Sequence, residues 1–92
     1  MLDNNEEVSS YTYEHVFSPK FYIECSNGNK GIIAISKPST YYSIHVKPEG
    51  YDEYEKTHVG SNLKKINLTI NAAVRAIYKN DPAEIHKIVI KI

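Results

Sequence analysis

Four histidines, one cysteine and eight tyrosines are the residues of this 92-residue chain whose types could do chemistry. Two histidines facing each other across a sheet could serve as general acid and base. Two histidines with a carboxylate could hold zinc. His15, His45, His58 and His86 show no such spacing: no pair stands at H-x-x-x-H, and Cys25 has no second cysteine. His15 and His86 fall in runs of aromatic residues or isoleucines, where a ring ordinarily serves a core or a sheet rim. No serine sits in a nucleophile elbow, and no Gly-rich loop could cradle a phosphate. The chain therefore reads as non-enzymatic, with no metal and no cofactor. A small hydrolase or nuclease working through the histidines ranks third among the functions considered.

The tyrosines point elsewhere. In "KPEGYDEYEKTH", Tyr51 and Tyr54 stand among Glu49, Asp52, Glu53 and Glu55 with almost nothing apolar nearby. Acids repel phosphate, so these rings are poorly placed for nucleic acid. They are well placed for a basic protein, because tyrosine supplies large contact area at small entropic cost and surrounding acids speed the arrival of a cationic partner. Residues 47–60 also read as a long connection between a strand and a helix, and long loops are often functional. Tyr51, Asp52, Glu53, Tyr54 and Glu55 are accordingly the expected partner-binding residues. The bland alternative is that both rings fold back over the end of a sheet.

The elements that must position this segment follow from periodicity. "YTYEHVF", "FYIEC", "GIIAIS" and "TYYSIHVK" are short runs rich in Tyr, Ile and Val, separated by "SPK", "SNGNKG" and "KPS". Such runs predict an antiparallel meander, with Asn27-Gly28 as a hairpin turn. Phe21, Ile23 and Cys25 are expected on one face; Tyr42, Ile44 and Val46 are expected inward. The period then changes. Leu63, Ile66, Ile70, Ala73, Val74 and Ile77 recur at three- and four-residue steps, one stripe of a helix capped by Ser61 and stopped before Pro82. "EIHKIVIKI" alternates again and predicts a last strand. The expected fold is α+β: a mostly antiparallel β-sheet in the order β-β-β-β-α-β, with one long amphipathic helix on one face, in two layers. Residues 1–10 are expected to be a polar, flexible N-terminus, and residues 11–92 a single domain.

Charge is balanced overall but not along the chain. Residues 1–56 hold nine acids and five bases, residues 57–92 six bases and two acids. Either the basic half forms a binding face or the two halves neutralise each other in the fold. The segment "VGSNLKKINLTINAAVRAIY" resembles the last helix of double-stranded-RNA-binding domains, which also follows a Gly/Ser turn, opens with paired lysines and continues into an alanine-rich stretch. The resemblance covers about a fifth of the chain; that family begins with a helix where this chain begins with a strand. It implies that Lys64 and Lys65 would meet phosphates; the basic helix face adds Asn71, Arg75 and Lys79 to the candidate nucleic-acid-binding residues. RNA or other nucleic-acid binding is thus the second reading.

No apolar run approaches the roughly 20 residues needed to cross a bilayer, and the acidic, polar start lacks the basic and apolar parts of a secretory signal. A single cysteine fits a reducing compartment, so a cytoplasmic protein without a membrane partner is expected. Asn, Lys and Ile make up about a third of the residues, a usage like that of AT-rich bacterial or phage genomes. Small, without apparent chemistry, tyrosine-rich and locally acidic, the chain has the profile of an inhibitor of another protein, as toxin-immunity or phage counter-defence proteins are. A homodimer is also admitted, since a terminal strand at a sheet edge invites a second copy.

Overall fold

A computed structural model describes residues 2–87. Five strands, β1 (Val8–His15), β2 (Pro19–Cys25), β3 (Lys30–Ser36), β4 (Tyr42–Pro48) and β5 (Glu55–Val59), form one sheet in the order β1-β2-β3-β4-β5. Every neighbouring pair is antiparallel. One α-helix among the described residues, α1 (Leu63–Lys79), packs on one face, most closely over β4 and β3. The result is the expected two-layer α+β architecture. Single 3-10 turns at Leu2–Asn4 and Pro82–His86 flank it.

Local chemistry explains the chain reversals. Gly28 takes φ +90°, and its N–H donates to the Cys25 carbonyl at 2.9 Å, closing the β2–β3 hairpin. α1 begins one residue later than Ser61 would give: the N-cap is Asn62, whose side chain accepts from the Lys64 and Lys65 N–H groups at 2.9 and 3.3 Å. Asn competes with Ser at this position on equal terms, so sequence alone could not choose between the neighbours. The helix stops at Asn80, which adopts the left-handed conformation (φ 53°, ψ 43°) that Asn tolerates better than most residues.

The register sets the faces. Ile23, Ile33, Ile44 and Val46 point to the helix and are buried, together with Ile70, Val74 and Ile77 from α1. Gly31 lies directly beneath the helix. A Cβ there would fall 2.6 Å from Ile77 Cγ1, so the missing side chain allows α1 to sit close to β3. Cys25 is buried in the same core, and burial, aided by the charge of Glu7, pushes its thiol up to about 11. It behaves as a small apolar residue with little thiolate at neutral pH.

Three expectations are corrected. Leu63, assigned to the buried stripe, opens the first turn of α1 and is 67% exposed. Residues 47–60 are not one long connection: Glu55–Val59 is a fifth strand, and the loop before it is a turn of six residues, 49–54. The strand expected over residues 84–92 does not start where alternation suggested. Asp81 accepts from the Ala83 N–H, Pro82 opens a 3-10 turn, and that turn buries Ile85 in the core. Residues 88–92 of the expected strand lie outside the described residues. At the other end, Leu2 is buried against the core, Asn5 bonds Asn71, and β1 opens at Val8.

Candidate protein-binding surface

The β4–β5 turn is built from both of the elements it joins and from the helix end. Gly50 takes φ +96°, and the Tyr51 N–H donates to the Pro48 carbonyl at 3.2 Å. The Glu49 N–H donates across to the Lys30 carbonyl at 2.9 Å, tying the turn to β3. Tyr51 then reaches the helix: its hydroxyl donates to the Asn80 carbonyl at 3.0 Å. Helix C-termini leave carbonyls without partners, and Tyr51 satisfies one of them.

Tyr54 is held differently. The side chains at 54 and 56 point to the sheet face opposite α1. There the Lys47 ammonium stands 5.3 Å from the Tyr54 ring centroid, and the His45 ring meets it edge-on at 6.2 Å. Partial burial raises the Tyr54 hydroxyl above its ordinary range. Both rings are therefore fixed, yet they remain 42% and 37% exposed. The structure joins the two readings weighed for them, since each ring rests against the sheet end and still offers a face to solvent.

The acids divide. Asp52 and Glu53 are exposed in the turn beside Glu49, and among the described residues none of the three has a cation within 4.0 Å. Glu55 opens β5 opposite Val46 and pairs with His86 Nε2 at 3.3 Å, so it leaves the other four expected residues and faces the helix side. Behind the turn, on the face opposite α1, runs a shallow trough of about 530 Å³ with Tyr22, Ile32, Lys30, Lys47 and Tyr51 among its walls.

The alternative basic face is more occupied. Arg75 pairs with Glu7 at 2.7 Å, Lys79 with Glu84 at 3.7 Å, and Asn71 Oδ1 accepts from Asn5. Lys64 and Lys65 are exposed, but their backbone N–H groups are already taken by Asn62. The Glu7–Arg75 pair joins the acidic and basic halves of the chain, so part of their asymmetry cancels internally.

One arrangement was not visible in the sequence. Pairing of β5 with β4 sets Ser43 opposite His58, and their side chains share a hydrogen bond of 3.1 Å. Ser36 and His45 share another of 3.2 Å. The two histidines thus become neighbours on the face away from α1, with the Tyr41 ring edge-on to His58 at 4.9 Å. Among the described residues no three His, Cys, Asp or Glu side chains converge to hold a metal ion. Ser43 is buried, which keeps its hydroxyl from acting on an external substrate. Only the period-2 face assignment of β4 could have hinted at this cluster, because β5 itself went unrecognised.

Burial, the nearby Lys56 and His58 itself hold His45 below its ordinary range. The unfolded chain therefore binds a proton at His45 more readily than the folded one, and stability falls as pH drops through the ordinary histidine range near 6.5. Melting temperatures of the protein and of His45→Gln, compared at pH 7.5 and 5.5, check this. The drop on acidification is expected to be smaller in the variant.

No family model matches the chain, and neither a curated protein nor a solved structure is significantly similar to it. No helix among the described residues is long and apolar enough to cross a membrane.

Proposed function

We propose that this chain is a small non-catalytic protein-binding module that engages a basic surface of another protein through its β4–β5 turn. The observation that carries the proposal is the state of the turn. Tyr51 and Tyr54 are locked in place and partly exposed, beside three carboxylates with no cationic partner among the described residues. Aromatic anchors fixed before binding lose little entropy on contact. Unpaired acids around them steer a cationic partner and penalise an anionic one. Glu55, occupied by His86, supports this surface from behind rather than contacting the partner.

A module of this kind acts by occupying a surface that its partner needs. It is best read as an inhibitor of the toxin-immunity or phage counter-defence type, working in the cytoplasm of a bacterial or phage-infected cell. The test is affinity capture from a nuclease-treated lysate of the source cells, with the protein and Asp52→Lys/Glu53→Lys in parallel. A protein retained by the unaltered chain and lost with the charge-reversed variant supports the reading. Loss of all binding on nuclease treatment, with capture returning when RNA is restored, would replace it with the nucleic-acid reading. A partner held equally by both forms would move the interface away from the turn.

A further inference from the structure

We infer that β1 is the interface through which two copies of this chain associate, edge to edge, into one continuous antiparallel sheet. β1 ends the strand order and, among the described residues, pairs only with β2. It is eight residues long, roughly 26 Å at strand spacing. Its register is interrupted near Val8 and Ser10, but from Ser10 to His15 the ladder is regular. An edge of this length presents a row of N–H and C=O groups to any strand that can lie alongside, and proteins ordinarily guard such rows with lysine, proline or a covering element. "VSSYTYEH" carries no lysine and no proline. The opposite edge is better guarded: β5 carries Lys56 and packs against the Pro82–His86 turn, whereas β1 meets the short Leu2–Asn4 turn, where the Tyr11 hydroxyl donates to Asp3 at 2.8 Å.

The side chains point the same way. α1 leaves β1 largely uncovered, so the helix-side face of the edge is an aromatic shelf. Tyr11 and Tyr13 lean on Phe21 with ring centroids 6.1 and 5.0 Å apart, and Tyr13 remains 52% exposed. Phe17, just past the strand end, is 96% exposed. An apolar row beside an open ladder is the pair of features that strand addition uses: main-chain bonds for affinity, alternate side chains for selectivity.

A second copy fits this edge better than a basic partner does. Glu14 is the only carboxylate on β1, and it already accepts from the Tyr22 hydroxyl at 3.3 Å. The chain carries no net charge that would drive two copies apart. The strand is also compatible with itself. Antiparallel pairing about Thr12 sets Tyr11 of each copy against Tyr13 of the other on the helix side, and Ser10 against Glu14 on the open side. No like charges then stand opposite each other, and aromatic cross-strand pairs are among the favourable ones. The contact is narrow beside the about 1,200 Å² or more of stable interfaces, so the dimer is expected to dissociate in the micromolar range.

Sedimentation equilibrium of the full chain between about 1 and 200 µM tests this, alongside Tyr13→Lys and Thr12→Lys. Each variant places a lysine guard on the edge, one on either face, and thermal melting of both confirms that they fold. A concentration-dependent dimer in the unaltered chain, weakened tenfold or more by both substitutions at unchanged melting temperature, is the expected result. A strict monomer at the highest concentration overturns the inference, as does a dimer indifferent to both lysines. No residue of the β4–β5 turn is altered, so failure here leaves the capture experiment untouched.

Discussion

Replacing Ile77 by aspartate is expected to abolish the cooperative folded state. Ile77 is fully buried and lies against Gly31 of β3. The substitution forfeits a core aliphatic side chain, about 2–5 kcal/mol when such a residue is cut back to alanine. It also places an unpaired carboxylate where nothing can solvate it, at a further cost of several kcal/mol unless the group takes up a proton. A domain of this size has about 5–15 kcal/mol of stability in total, so the two losses together consume it. Leu63→Asp is the control. It lies on the same nominal stripe but in solvent, and is expected to leave the melting temperature within a few degrees. Circular dichroism melts of the two variants check the contrast. A cooperative transition of Ile77→Asp near that of the unaltered chain would mean that α1 does not sit over β3.

The helix was readable from sequence for the same reason that this substitution is severe. Ile66, Ile70, Val74 and Ile77 repeat at the helical period because one face must meet a sheet, and burial enforces the repeat. β2, β3 and β4 were readable because Ile23, Ile33, Ile44 and Val46 face that helix and alternate with less buried neighbours. β5 was not readable. "EKTHV" buries only Val59, since an edge strand beside a short helical turn has little core to fill, and without an apolar alternation no period stands out. A strand was expected from Glu84 because "EIHKIVIKI" alternates well, but Asp81 and Pro82 favour a turn locally and Ile85 finds the core from it.

The proposed binding surface was half legible. The sequence shows that aromatic and acidic residues coincide at residues 49–55. It does not show which of them are occupied. The Tyr51–Asn80 bond spans 29 residues, and the Glu55–His86 pair joins positions equally remote in sequence. Those contacts come from the packing of the β4–β5 turn against the end of α1 and the turn after it. They divide the segment into a fixed pair of rings, three acids with no cationic partner among the described residues, and one acid in structural use.

From that division follows the second large effect. Tyr51→Ala/Tyr54→Ala is expected to weaken partner binding by roughly 2 kcal/mol or more, about thirtyfold, the usual scale for aromatic anchors. The loss should appear mainly as faster dissociation, because buried aromatic contact is surrendered only when the complex opens. The fold should lose less. Tyr51 gives up one net hydrogen bond, worth about 1 kcal/mol, and Tyr54 gives up a partly exposed ring. Tyr51→Phe separates the two roles, keeping the ring and removing the bond to Asn80. A variant that melts far below the unaltered chain while binding normally would show that the rings serve the fold and not the partner.

The association rate of the captured partner, measured against salt for the protein and for Glu49→Gln/Asp52→Asn/Glu53→Gln, bears most directly on the acidic turn as the docking surface. Neutralising the three acids removes the steering charge and leaves both rings in place. At low salt, association of the neutralised variant is expected to be about tenfold or more slower. Near 1 M salt, where charges are screened within about 3 Å, the two rates should converge while dissociation stays nearly the same throughout. Equal association rates at low salt, or rates that differ by the same factor at every salt concentration, would contradict the account.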